Sequence, residues 1–271
     1  GAKEAMFDSF VPLNRSPYFH KQKDGSLRHE TQVAADRAID FIAQAKKEAE
    51  PFCLSVSFNA SHAEDGDKKN HFPYPKVVGS LYQGVKMPQP KLSDPKVFES
   101  QPEFLRKSMN RDRYFWRWDT EEKYQNNMRN YLRMISGIDH AIGRVIKELD
   151  SQGMADNTVI IYMADNGYYA ASRGFAGKWS HYEESQRVPL IIFDPRAKKE
   201  ARGKREKGIA LNVDIAPTIV ALAGARMPQG YQGRSLTASL EGSPEAKAPG
   251  DFFCEHRMNN RSIPKWEGVR G

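Results

Sequence analysis

Only two cysteines occur in 271 residues, and neither Cys53 nor Cys254 stands at Cys-x-x-Cys or any other metal-ligand spacing. That excludes a cysteine-built metal site and a multi-disulfide scaffold. Cys53, in the apolar run PFCLSVSF, reads as a buried small hydrophobe, and Cys254 lies in the short strand-like DFFCEH. Two strand positions make a poor pair for a bridge. No stretch of eighteen apolar residues occurs, which excludes a membrane-spanning helix, and the opening GAKEAMFDSF lacks the apolar core of a secretory leader. A concentrated basic block is missing too. The 41 Lys and Arg against 34 Asp and Glu leave a formal charge of +7, but the excess forms only short clusters at 111–117 and 198–207. It reads as solvated surface or a general attraction for anions rather than a nucleic-acid footprint.

What is present is a chain able to bury one large core, with 39% hydrophobic and 28% charged residues,. After a loop-like opening, Ala34, Ala38, Phe41, Ile42, Ala45 and Ala49 recur at three and four and predict a helix over 31–50, stopped by Pro51. Phe52 to Phe58 reads as a strand. Prolines crowd 68–113, which predicts an extended, looping stretch with at most one short helix. The aromatics of RYFWRW, 113–118, suit a sugar face or packing, and packing is favoured. Asp119 or Thr120 caps a long helix whose stripe is Tyr124, Met128, Tyr131, Ile135, Ile138, Ile142, Val145 and Leu149, expected to lie against a sheet. Within it Asp139 reads as structural, paired with a basic neighbour. Farther on, Asp214 caps a helix with Pro217 in its first turn and Gly224 at its end, and short strands follow near 251–255 and from Trp266.

The chemistry gathers between Thr158 and Asp194. Val159–Met163, an apolar strand, ends in Asp165-Asn166-Gly167, and a second apolar strand, Val188–Phe193, returns after a polar loop. Buried parallel strands expose polar groups at their carboxyl ends, so this is the layout of an α/β active-site edge. Asp165 offers an anionic oxygen and Asn166 a neutral one, a pair suited to Ca²⁺ or Mg²⁺. Lys178, behind Gly177, brings a positive charge suited to an anionic ester. Read alone, Asp-Asn-Gly is more often an ordinary strand-to-turn ending, and a lone loop histidine such as His62 is more often plain surface.

DNG followed by GKWSHYEESQRVPLII resembles the sulfatase family of the alkaline-phosphatase-like superfamily. SFNASHAEDGD is similar to the family's strand leading to Ser-Phe-x-x-Pro-His-x-Pro, with Ser61 and Glu64 in place of the prolines. The resemblance implies that Asp165 and Asn166 ligate a divalent metal, Ca²⁺ before Mg²⁺, and that Lys178 and His62 contact the sulfate; by residue type His181 could add proton transfer. It implies an α/β sandwich, a largely parallel sheet flanked by helices and incomplete at its amino-terminal side. The chain would be one domain over 1–271, with 68–118 a cleft-lining insertion. The family's paired-aspartate strand and its Cys-x-Pro-x-Arg or Ser-x-Pro-x-Arg segment, source of the formylglycine nucleophile, do not occur in these residues. The expectation is therefore a metal-dependent sulfuric ester hydrolase acting on a sulfated carbohydrate, periplasmic or secreted, whose nucleophile comes from a missing amino-terminal segment. This chain alone would be inactive, and either completed by that segment or prone to self-association. The alternatives are a phosphoester or phosphonate hydrolase of the same superfamily and a non-catalytic binding protein on the same scaffold.

Overall fold

A computed structural model describes residues 6–14, 16–243 and 248–271. In chain order its main elements are β1 (Phe19–Lys21), β2 (Leu27–His29), α1 (Glu30–Glu48), α2 (Pro95–Glu99), α3 (Glu103–Arg106), α4 (Met109–Arg117), α5 (Glu121–Ser151), β3 (Ile160–Met163), α6 (Glu183–Gln186), β4 (Leu190–Phe193), α7 (Ile215–Leu222), α8 (Thr237–Glu241), β5 (Phe252–His256) and β6 (Trp266–Arg270). The chain divides into two compact units, Gly1–Val97 with Asp112–Ala155 and Ala170–Ala176, and Phe98–Arg111 with Asp156–Tyr169 and Gly177–Gly271.

In the first unit, β1 and β2 form a hairpin that delivers His29 as the N-cap of α1, its ring nitrogen accepting the Thr31 N–H at 3.3 Å. Ala34, Ala35, Ala38, Ile42 and Ala45 make the buried face of α1. Small side chains let α5 approach closely, and the two helices pack together,. Arg144 of α5 donates to Asp36 of α1 at 2.6 Å, and Arg28 of β2 pairs with the same carboxylate. Burial alone would raise the Asp36 pKa, but its hydrogen bonds to Arg28 and Arg144 outweigh that and hold it low.

Thr120 caps α5, accepting the Lys123 N–H at 3.2 Å, and Glu121 and Glu122 sit in the dipole-favoured first turn,. The helix buries Tyr124, Met134, Ile138, Ala141 and Leu149, whereas Ile135 is 37% exposed and Asp139 lies in solvent. The expected stripe is thus rotated in its middle, because α5 faces α1 and the 74–88 strap rather than a sheet. That strap has few backbone partners of its own, and side chains of α5 satisfy it. Tyr124 donates to the Pro88 carbonyl at 2.6 Å, Arg129 to Tyr82 at 3.1 Å, Arg133 to Leu81 at 3.0 Å, and Gln125 holds both the N–H and the C=O of Met87,. Gly137 leaves room for Pro75: a Cβ there would stand 2.6 Å from the proline Cγ.

Two expectations are corrected here. The proline-rich stretch is more helical than its composition suggested, because Pro95 opens α2 and Pro102 precedes α3, positions where a missing N–H costs nothing,. Phe52 to Phe58 joins no strand ladder among the described residues. Phe52 lies edge-on to Phe41 at 5.7 Å while Cys53, Ser55 and Ser57 face out, so Cys53 is exposed, not buried. From RYFWRW, Trp118 is buried against Phe72 and Arg117 is fully buried with Asp65, but Phe115 and Trp116 remain 49% and 41% exposed.

In the second unit, β3 pairs with β4 in register Ile160↔Phe193 to Met163↔Leu190, and the pair is antiparallel. Every strand pair among the described residues runs that way, so the α/β class stands but the largely parallel sheet does not form here. The 164–189 connection carries a 3₁₀ turn at Ser172–Gly174 and the single turn of α6, and no crossover helix of the kind that returns a strand in parallel,. Ile191 and Phe193 are 59% and 51% exposed, so β4 is not the doubly covered strand its apolar sequence implied. Asp214, buried ahead of α7, accepts the N–H groups of Leu211 and Arg234, each at 2.9 Å. Thr218 donates to the Asp214 carbonyl and accepts the Leu236 N–H, fastening the GRSL segment to α7. β5 and β6 close the unit as an antiparallel pair with Cys254 opposite Gly268. Both cysteines are free thiols.

Candidate active-site loops

The strand β3 delivers Asp165 to solvent and Asn166 to a half-buried position just beyond it. Asp165 Oδ1 accepts the Asn166 N–H at 2.8 Å, and Asn166 Nδ2 donates to the Gly167 carbonyl at 2.8 Å, which leaves its amide oxygen turned from that contact. Asn212 Nδ2 donates to the carbonyls of Asp165 and Ala164 at 3.2 and 3.4 Å. On the other side the Gly167 N–H donates to the Ser185 carbonyl at 2.8 Å. The turn is therefore fastened from both flanks, and its two side-chain oxygens are hard donors of the kind Ca²⁺ and Mg²⁺ accept. They supply two of the six or more that Ca²⁺ takes, and no group of three His, Cys, Asp or Glu suited to a metal occurs among the described residues.

Lys178 is half-buried between two left-handed residues, Gly177 at φ +90° and Trp179 at φ +77°. A Cβ on Gly177 would stand 2.8 Å from Asn110 Oδ1, so glycine is required by space as well as by φ,. A bulky residue stays left-handed only where its surroundings impose it. The Trp266 indole does so, donating to the Trp179 carbonyl at 2.7 Å. Next along, the Ser180 hydroxyl meets the Tyr169 hydroxyl at 2.7 Å, and the exposed His181 ring lies on Tyr182 at 4.3 Å. Asp165, Asn166, Lys178 and His181 all belong to the second unit.

His62 belongs to the first unit and is half-buried. Its Nδ1 lies 2.8 Å from the Ala63 carbonyl, which can only accept, so Nδ1 carries the proton,. The 59–62 turn is clamped from behind. Glu30, 1% exposed, accepts the Ala60 N–H at 2.8 Å, and the Tyr18 hydroxyl donates to the carbonyls of Asn59 and His62. Burial raises the Glu30 carboxyl pKa, against the hydrogen bonds from Ala60 and Asn59 that lower it. Burial also pushes the neighbouring His29 imidazole down to about 4. Sequence reasoning missed Glu30 and Tyr18 as supports of this turn, and Asn110 and Asn212 as supports of the other loops. The one available signal was Glu30, an acid in the first turn of a helix directly behind a histidine.

The family model described as Sulfatase matches residues 2–225. The N-acetylglucosamine-6-O-sulfatase of Bacteroides thetaiotaomicron is 42% identical over 130 residues, a stretch covering 48% of this chain and 23% of that protein. A solved structure described as a complex with its substrate D-glucosamine-2-N,6-O-disulfate is similar at TM-score 0.74 and 25% identity, covering 91% of this chain and 60% of that one. The phosphonate monoester hydrolase of Silicibacter pomeroyi is similar at TM-score 0.72 and 22% identity, covering 93% and 51%, and shares the alkaline-phosphatase-like fold alone. This chain thus spans less than two thirds of the length of each of these relatives.

Proposed function

The chain belongs to the sulfatase family, and from that premise we propose that it carries the metal-facing and sulfate-facing loops of an enzyme that hydrolyses a sulfate ester on a carbohydrate. The observation that carries this reading is Lys178, a half-buried cation locked between two left-handed residues in the same unit as the Asp165-Asn166 turn. A loop built at that conformational cost suits a lysine with a fixed anionic target better than one in plain solvent.

Asp165 and Asn166 would hold a divalent metal, Ca²⁺ before Mg²⁺, together with oxygen donors from outside this pair. When bound, such a metal neutralises charge on the sulfuryl oxygens. Lys178 binds the ester by charge as negative charge shifts toward the leaving oxygen. His62, its Nδ1 proton committed to Ala63, would meet the ester through Nε2 and give up a proton there only as the doubly protonated imidazolium, and His181 is a second proton carrier. No residue here stands in a Cys-x-Pro-x-Arg or Ser-x-Pro-x-Arg segment, so the formylglycine nucleophile is assigned to a segment outside residues 1–271. The reading places the protein in a periplasmic or secreted setting; among the described residues no helix is long and apolar enough to cross a membrane. Turnover of glucosamine 6-O-sulfate by the longest reading frame that contains this chain, assayed with and without chelator, tests it. Hydrolysis of a phosphonate monoester in preference to the sulfate would reverse the choice of ester.

A further inference from the structure

We propose that the basic loop over residues 194–208 is an exosite for the polyanionic chain of a sulfated polysaccharide, which it holds along one side of the Asp165-Asn166 turn. The proposal rests on the sulfatase reading only for the choice of sulfate as the anion. Seven Lys and Arg against three Asp and Glu fall in this loop, a net +4 of the chain's +7. The charge of the protein is therefore concentrated here.

The register of β3 and β4 gives the loop its place. Met163 pairs with Leu190 at the end of the ladder that leads into Asp165 and Asn166, and Ile160 pairs with Phe193 at the other end. At about 3.4 Å per residue, the loop leaves β4 about 10 Å from the end that carries the turn. The chain then comes back, and Asn212 donates to the Asp165 carbonyl at 3.2 Å. Residues 194–211 thus run from the far end of the ladder to the flank of the turn, all within the second unit. Cations on that path form a track that ends at the candidate site.

Two of the seven cations brace the loop itself. Arg196 meets Asp194 through two bonds of 2.9 Å, and Arg202 donates to the carbonyls of Ala197 and Pro195 at 2.9 and 2.6 Å. Lys198, Lys199, Lys204, Arg205 and Lys207 are exposed and make no salt bridge with a described residue. One exposed ion pair changes an affinity by only about two- to threefold, so a lone sulfate gains little here. Five such contacts on one chain multiply to about 10²-fold, which selects a polymer. The loop also separates one polyanion from another. From Asp194 to Gly208 it has no aromatic residue on which a base could stack,, and its one 3₁₀ turn, Lys199–Ala201, is no helix for a DNA groove,. None of the exposed large apolar side chains lies in it to enter a lipid surface,. Charge on long, flexible stems is what it offers, and that suits sulfate groups spaced along a carbohydrate.

Heparin, a sulfated glucosamine-containing polysaccharide, is the probe, and its binding to the longest reading frame that contains this chain would be measured in chelator, so that no turnover competes. It should bind at least about 10²-fold more tightly than glucosamine 6-O-sulfate and about tenfold more tightly than a short DNA duplex. The logarithm of its affinity should fall against the logarithm of salt concentration with a slope of about −3 to −4, as five contacts require. Lys198→Gln, Lys199→Gln, Lys204→Gln, Arg205→Gln and Lys207→Gln together should weaken heparin by about 10²-fold and flatten that slope. The same change at Lys21, Lys23, Lys46, Lys47 and Lys147, all exposed in the first unit, removes equal charge and should weaken it by less than about fivefold,. If the fivefold variant fails to fold, the pair at 198 and 199 and the trio at 204, 205 and 207 are tested apart, and each should weaken heparin more than an equal number of the control changes. Equal weakening by loop and control sets, DNA bound as tightly as heparin, or heparin held no better than the monosaccharide would each overturn the exosite. Failure of the sulfatase reading looks different. The longer reading frame would then hydrolyse a phosphonate and not the sulfate while the loop still held heparin, and Lys178→Ala should leave heparin binding within about threefold in either case.

Discussion

Gly167 and Glu184 approach so closely that a Cβ on the glycine would lie 2.2 Å from the Glu184 carbonyl oxygen. The neighbour is backbone, pinned by the Gly167 N–H to Ser185 carbonyl bond, and cannot swing aside as a side-chain tip would. Gly167→Ala should therefore destabilise the protein by about 1–3 kcal/mol and displace the Asp165-Asn166 turn. Denaturant midpoints of parent and variant measure the first effect. An unchanged midpoint would show that the α6 backbone yields freely.

Asp165 is exposed, so Asp165→Ala should alter stability by no more than about 0.5 kcal/mol while removing bound metal and metal-dependent turnover from the complete enzyme. Elemental analysis beside an activity assay gives both readings. Metal content and turnover equal to the parent would remove Asp165 from the ligand set.

For Lys178→Ala, kcat/KM on a sulfate ester should fall by about 10²-fold or more, the cost of losing a contact that strengthens in the transition state. The same variant should bind inorganic sulfate more weakly as a competitive inhibitor. A change below about threefold with unaltered inhibition would place the lysine elsewhere.

The His29 imidazole, lowered to about 4 by burial, gives acid sensitivity a definite sign. As pH falls below about 6.5 the unfolded chain takes up a proton that the folded chain refuses. The contribution to stability is whole above that point, declines on acidification, and is lost below about 4, a change of about 3 kcal/mol. Glu30 works in the opposite sense, since its raised carboxyl pKa lets the folded chain gain a proton first. Replacing His29 by glutamine removes the first effect and leaves the second, so the variant should lose less stability than the parent between pH 6.5 and 4. Parallel urea-midpoint curves for the two would mean that another group sets the acid limb.

Purified residues 1–271 should not turn over an aryl sulfate, even with Ca²⁺ or Mg²⁺, because a general acid or base alone supplies only about 10² to 10⁴-fold. The longer reading frame, assayed beside it with formylglycine measured by mass spectrometry, should be active. Comparable metal-dependent rates from both would mean that a residue within this chain is the nucleophile.

The two long helices were legible in the sequence because their signals are local: three-four spacing, Thr120 as a cap, Pro51 just past an end. The ends of β3 and β4 were legible for the same reason, as apolar runs broken by Asp165 and Asp194. Strand direction was not, because an apolar run such as Leu190–Phe193 reads alike whether its neighbour is parallel or antiparallel. Phe52 to Phe58 was misread in kind: β-propensity marks a residue that would fit a pleated surface, but a ladder needs a second strand at the right place. Of the site, Asp165, Asn166 and Lys178 stood out by residue type and order. Tyr18 and Glu30 did not, since what joins them to the His62 turn is a fold-dependent contact across 30 to 44 positions.

Gly137 inverts a common engineering rule. A glycine in the middle of an α-helix is the first residue that propensity scales would replace by alanine, for a gain of about 1 kcal/mol. Here the absent methyl group is the space that Pro75 occupies, with Cγ and Cδ 2.6 and 2.9 Å from where it would sit. Thermostabilisation guided by helix propensity would push the strap away from α5 and strain the carbonyl contacts made by Arg129 and Arg133, so this position should be left out of any stabilising library.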